Sequence, residues 1–107
     1  MTGRIPCCVP FCRRTIAADR IPSDHEWLCS QHWGLVPQAT KRRRRQLKLR
    51  VQRLKRMWDG NPKGQAAIEK SGRYFRYCAT LARAHQLVYD AWDTSKQQAI
   101  ERAGGIG

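Results

Sequence analysis

Between residues 37 and 103 the apolar positions recur at helical spacing. Leu47, Val51, Leu54 and Trp58 follow one another at steps of four, three and four, which lines one face of a helix. Pro37 stands ahead of this run, where a proline's missing N–H costs a first helical turn nothing. Asp59-Gly60-Asn61-Pro62 ends it, because glycine supplies the cap and proline cannot continue the helix. A second run, Tyr74, Cys78, Leu81, His85, Val88 and Trp92, repeats at four, three, four, three and four. Gly72 weakens a helix by roughly 1 kcal/mol relative to alanine, so it marks either the true start of this helix or a kink. Two narrow stripes joined by a short connector predict an antiparallel helical hairpin. Leu47, Val51, Leu54 and Trp58 are expected to face Tyr74, Cys78, Leu81, His85 and Val88. The second helix is the longer, so its end should return toward the N-terminal segment.

That segment is organised by cysteines. Four of the five lie in the first 29 residues, as Cys7-Cys8-Val-Pro-Phe-Cys12 and then Cys29-Ser-Gln-His32, two short pairs separated by sixteen residues. This is the layout of a tetrahedral zinc site, in which each pair closes a tight turn and the intervening chain returns to the same point. Pro10 suits such a turn because its φ is already fixed. A cluster of buried cysteines acting as small hydrophobes is the plainer reading, but such cysteines are rarely paired at metal spacing beside a Cys-x-x-His. Cys7 and Cys8 both give spacers within zinc-finger tolerance, and spacing does not choose between them. A segment of about 40 residues folding alone needs a staple of this kind.

Cys7-x-x-Pro10-x-Cys12 followed by Cys29-x-x-His32-Trp33, with Val36-Pro37 and a basic helix beyond, resembles a small zinc module of bacteriophage and prophage proteins. That module occurs at the N-terminus of phage HNH endonucleases and in short standalone phage proteins. The likeness covers about residues 5–45, with Phe11 standing where the pattern usually has glycine. It implies one structural Zn2+, held by Cys7, Cys12, Cys29 and His32; Trp33, next to a ligand in sequence, is expected to cover the ion. It also implies a phage origin; it does not imply a reaction.

The fold class expected is therefore mostly α. A small zinc-stapled module, irregular or a short hairpin, spans residues 1–36; a two-helix hairpin spans 37–103; and a flexible tail spans 104–107. No apolar run reaches the roughly 18 residues of a membrane span. The start lacks the apolar stretch of a secretory signal, and five cysteines in an unexported chain favour metal thiolates over disulfides. A cytoplasmic protein is expected, in the bacterial host if phage-encoded.

Charge changes the picture most. Residues 41–58 hold ten Lys/Arg and no acid, +10 of the formal net charge of +13. A solvated helix face usually mixes both signs. Charge this concentrated calls for a polyanion, and phosphate backbones are the commonest. Lys41, Arg42, Arg43, Arg44, Arg45, Lys48, Arg50, Arg53, Lys55 and Arg56 are the residues expected on DNA or RNA. With only Gln46 and Gln52 as neutral base readers, weak sequence specificity is expected. Two other readings compete. An acidic host or phage protein could take the place of the nucleic acid. A nuclease related to the HNH enzymes would rest on Asp24-His25, but once His32 is on zinc only His25 and His85 remain, and Asn61 lies in the connector. No paired carboxylates, Ser/His/Asp set or phosphate loop supports catalysis. Cys78 and His85, seven residues apart, are too few for a second metal site and are expected in the core. Tyr74, Phe75 and Tyr77, interleaved with Arg73 and Arg76, are read as core and rim, with base stacking as the alternative.

Overall fold

The computed structural model describes residues 3–21 and 26–104. The expected tail, beyond Gly104, and the Asp24-His25 pair lie outside them. Two short strands, β1 (Arg4–Pro6) and β2 (Thr15–Ala17), form an antiparallel hairpin with Ile5 opposite Ile16. A 3-10 turn (Ala18–Arg20) follows, then one helical turn, α1 (Ser30–Trp33). Three helices complete the chain: α2 (Gln38–Arg56), α3 (Pro62–Lys70) and α4 (Tyr74–Ala103). The mostly helical architecture with a small N-terminal hairpin is as expected. No helix among the described residues is long and apolar enough to cross a membrane.

The chain divides into two compact units, one holding the residues up to Thr40 together with α4 from Asp93 onward, the other Lys41–Trp92. In the first, the end of α4 does return to the N-terminal segment. Lys96 Nζ sits 2.9 Å from Glu26 Oε1, Arg102 Nη1 donates to the Leu35 carbonyl at 3.2 Å, and Thr40 Oγ1 donates to Gln98 Oε1 at 2.8 Å. In the second, Leu47 and Val51 are buried on α2. The Tyr77 hydroxyl donates to the Leu54 carbonyl, and the Tyr77 ring stacks on Trp58 with centroids 6.0 Å apart.

The connector is more structured than expected, because Asn61-Pro62 starts a helix as well as stopping one. Asn61 Oδ1 accepts the Gly64 N–H at 3.0 Å and Pro62 occupies the first turn, a side-chain cap with its proline in the tolerated place. Gly72 then ends α3 rather than kinking α4. Its φ is +70°, its N–H bonds the Glu69 carbonyl and the Arg73 N–H bonds that of Ile68. This paired C-cap needs a left-handed residue, which glycine adopts without a Cβ clash.

The buried stripe of α4 is rotated by about 60° from the one read in the sequence, at 100° per residue. Ala84 is 2% exposed, and Ser95 and Ala99 are fully buried, with Tyr77, Thr80, Leu81, Leu87, Val88 and Trp92 half-buried, of which Leu81, Val88 and Trp92 belong to the expected stripe. Tyr74, Cys78 and His85, expected in the core, are exposed. The buried Ala84, Ser95 and Ala99 are small, and a search for large apolar side chains passes over them. Cys78 and His85 also share no ion, since seven residues of helix separate them by about 10 Å. Ala84→Leu is accordingly expected to destabilise by about 1–3 kcal/mol through overpacking. His85→Ala should stay within about 0.5 kcal/mol of the parent, both read from urea unfolding.

Candidate metal centre and basic helix face

The β1–β2 hairpin and α1 bring four ligand side chains to one point. Cys7 leaves β1, its N–H bonded to the Arg14 carbonyl at 3.0 Å, and bridges to Trp27 on the returning chain. The turn that follows is closed by the Cys12 N–H on the Val9 carbonyl at 3.0 Å, which places Cys12 beside Cys7. Cys29 precedes α1 and His32 lies on its single turn, so the Cys-x-x-His spacing puts both on one side.

The Sγ atoms of Cys7, Cys12 and Cys29 and a ring nitrogen of His32 all lie within 4.8 Å of one another. Cys12 Sγ is 3.8 Å from Cys29 Sγ, and His32 Nδ1 is 3.4 Å from Cys7 Sγ and 3.2 Å from Cys29 Sγ. Zinc bonded at about 2.3 Å to sulfur and about 2.0–2.1 Å to nitrogen in a tetrahedron needs sulfurs about 3.8 Å apart and sulfur–nitrogen distances near 3.5 Å. These three spacings match to within a few tenths of an ångström, and the remaining pairs lie within 4.8 Å. A disulfide needs about 2.05 Å; all five cysteines are free thiols. The donor set can therefore hold one metal ion, with four protein ligands and no open position.

Cys8 points elsewhere, its Sγ 3.7 Å from Glu26 Oε2. Burial and then the nearby Glu26 carboxylate push its thiol pKa up, despite the Trp27 backbone hydrogen bond. Cys29, 1% exposed, behaves oppositely. Burial raises its pKa, but hydrogen bonds from the His32 backbone, the Cys12 and Cys7 thiols and the Gln31 backbone outweigh burial and hold it below the ordinary value. Cys7 is raised by burial, offset in part by the backbone N–H groups of Cys29 and Val9. The Cys29 N–H lies 3.4 Å from Cys7 Sγ. These backbone donors surround the sulfurs as an outer shell that stabilises thiolate charge. They could not be read from residue identity, because every residue but proline carries an N–H.

The ten basic residues of α2 do not share one environment. Arg42, Arg43, Arg45, Lys48, Arg50, Arg53, Lys55 and Arg56 are exposed, whereas Lys41 and Arg44 are half-buried. Arg44 lies with its guanidinium carbon 5.4 Å from the Trp92 ring centroid. Burial lowers its pKa, and burial together with the Arg44 charge lowers that of Lys48. At 100° per residue, Arg42, Arg45, Arg53 and Arg56 form one ridge opposite Leu47 and Val51, about 21 Å long. Leu49, 44% exposed, sits at its middle. Among the described residues none of these four arginines is in a salt bridge. Of the residues a nuclease would need, Asn61 commits its side chain to the α3 cap and to the Arg56 carbonyl, and His85 stands exposed on α4.

Comparison with protein-family models, curated proteins and solved structures returns no match.

Proposed function

We propose that this chain is a small zinc-stabilised protein of the phage type that binds DNA or RNA through the outer face of α2, with little sequence specificity. The Cys7–Cys12–Cys29–His32 site is structural: its four ligands saturate a tetrahedral ion, and its work is to fold the N-terminal segment. The observation that carries the reading is the ridge of Arg42, Arg45, Arg53 and Arg56, exposed along about 21 Å of helix with no acid on α2. Such a ridge concentrates positive potential, which a phosphate backbone relieves by releasing condensed counterions. Guanidinium forks suit phosphate oxygens, and the scarcity of amide side chains leaves few groups to read base edges. On this reading the protein works in the cytoplasm of a bacterial host.

The test is equilibrium binding to duplexes of unrelated sequence near 50 mM salt, alongside native mass spectrometry for zinc. Comparable, salt-sensitive affinities and one zinc per chain are expected. Absence of binding to both DNA and RNA overturns the nucleic-acid reading and makes the ridge a docking face for an acidic protein.

A further inference from the structure

The start of α4 carries a feature the basic ridge does not use. Phe75 is 84% exposed and Tyr74 is 41% exposed, so neither ring is committed to the core that the sequence pattern predicts for this stretch. The rings are nonetheless ordered as a set. Tyr74 packs against Trp58 at 5.2 Å between centroids and meets Phe75 edge-on at 5.7 Å and 71°. At the first turn of a 30-residue helix, the Phe75 ring touches Tyr74 and leaves most of its surface in water. Arg73 and Arg76 flank it in sequence, both exposed, and both also line an apolar cavity of about 410 Å³ with Leu54, Met57 and Tyr77.

We propose that Phe75 and Tyr74, with Arg73 and Arg76, form a stacking platform for unpaired bases, so that the nucleic acid bound by this protein includes a single-stranded stretch; this rests on the nucleic-acid reading above. Every base offers a π-face, whereas inside a duplex those faces are already stacked on neighbouring pairs. An exposed aromatic ring therefore gains from a single strand what it cannot gain from a duplex. The two guanidinium groups supply backbone contacts within one helical turn of the ring. The α2 ridge, with no aromatic residue between Lys41 and Met57, supplies charge alone. An acidic peptide with an apolar anchor would also satisfy two arginines beside an apolar surface. The open face of Phe75 favours the base, because an aliphatic anchor would choose the cavity and leave that ring uncovered.

The experiment uses the full-length zinc-loaded protein, with oligo-dT and a mixed-sequence duplex as probes, for the wild type, Phe75→Ala, Phe75→Leu and Phe75→Trp. Unchanged thermal melting checks the fold of each variant. Base–aromatic stacking sets the expected loss on oligo-dT at about 5- to 150-fold for Phe75→Ala. Phe75→Leu should lose a similar amount, since it keeps the apolar surface without the ring, and Phe75→Trp should bind at least as well as the wild type. Duplex affinity should stay within about twofold in all variants. Full affinity of Phe75→Leu for oligo-dT, or an equal loss on the duplex, overturns the platform. Wild-type binding to the duplex but not to oligo-dT overturns it while leaving the α2 reading intact. Binding to neither probe, nor to RNA, removes both.

Discussion

Chelation is expected to strip the metal and unfold the N-terminal unit while Lys41–Trp92 stays folded. Structural zinc in small modules supplies about 10–16 kcal/mol of binding free energy, as large as the whole stability of an ordinary domain. The unit has little else to replace it: a three-residue hairpin, one helical turn, and a core of Cys7, Val9, Leu28, Cys29 and Val36 with Ala99 of α4. Two of those core residues, Cys7 and Cys29, belong to the candidate ligand set. Amide hydrogen exchange should show protection lost at Arg4–Pro6, Thr15–Ala17 and the last turns of α4, which the Lys96–Glu26 pair no longer holds. Protection between Leu47 and Val88 should persist. Cys29→Ser should bring zinc stoichiometry from one to zero, and Cys8→Ser should leave it at one. Metal affinity should fall as pH is lowered, because protons compete for the three thiolates and the imidazole. A metal-free protein with the same exchange pattern as the metal-loaded one would show that the cluster is only a set of buried thiols.

Arg42→Gln, Arg45→Gln, Arg53→Gln and Arg56→Gln combined should remove most of the salt dependence of nucleic-acid binding. About four to six phosphate contacts, each worth about −0.9 in the log–log slope on duplex DNA, give the wild type a slope of roughly −4 to −5. Its affinity then falls by about two to three orders of magnitude between 50 and 200 mM salt. Removing the four ridge arginines leaves about zero to two contacts and should flatten the slope to roughly 0 to −2, weakening binding to all sequences alike, with zinc content and helicity unchanged. Arg44→Gln is the control. Its side chain packs on Trp92, so it should lower stability by about 0.5–2 kcal/mol and leave the slope nearly intact. A quadruple variant with the wild-type slope would place the phosphate contacts elsewhere.

The residues of the metal cluster were legible in the sequence because coordination chemistry imposes local spacing: two ligands on one tight turn must lie a few residues apart. The same spacing left Cys7 and Cys8 equivalent, and the resemblance to the phage module favoured Cys7. The geometry separates them independently, with one Sγ turned to Cys29 and His32 and the other to Glu26. The helices, their breaks at Asp59–Pro62 and at Gly72, and the charge on α2 were also written locally, in periodicity and backbone preference. The third helix is hidden in the two-stripe pattern because Asn61-Pro62 reads as a stop, although an Asn cap followed by proline is a start signal as well.

What only the tertiary structure decided is which face of each helix is covered. On α2 the large apolar residues mark the contact, and the sequence stripe and the buried face coincide at Leu47 and Val51. On α4 the buried positions are Ala84, Ser95 and Ala99, whose small size gives little hydrophobic signal. Tyr74, Phe75, Cys78 and His85 were thereby left on the surface. The same distinction divides the ten basic residues. Composition could only count them; packing against Trp92 withdrew Arg44 and left Arg42, Arg45, Arg53 and Arg56 on a common outer ridge. Sequence determines what is close along the chain, and burial depends on what arrives from far along it.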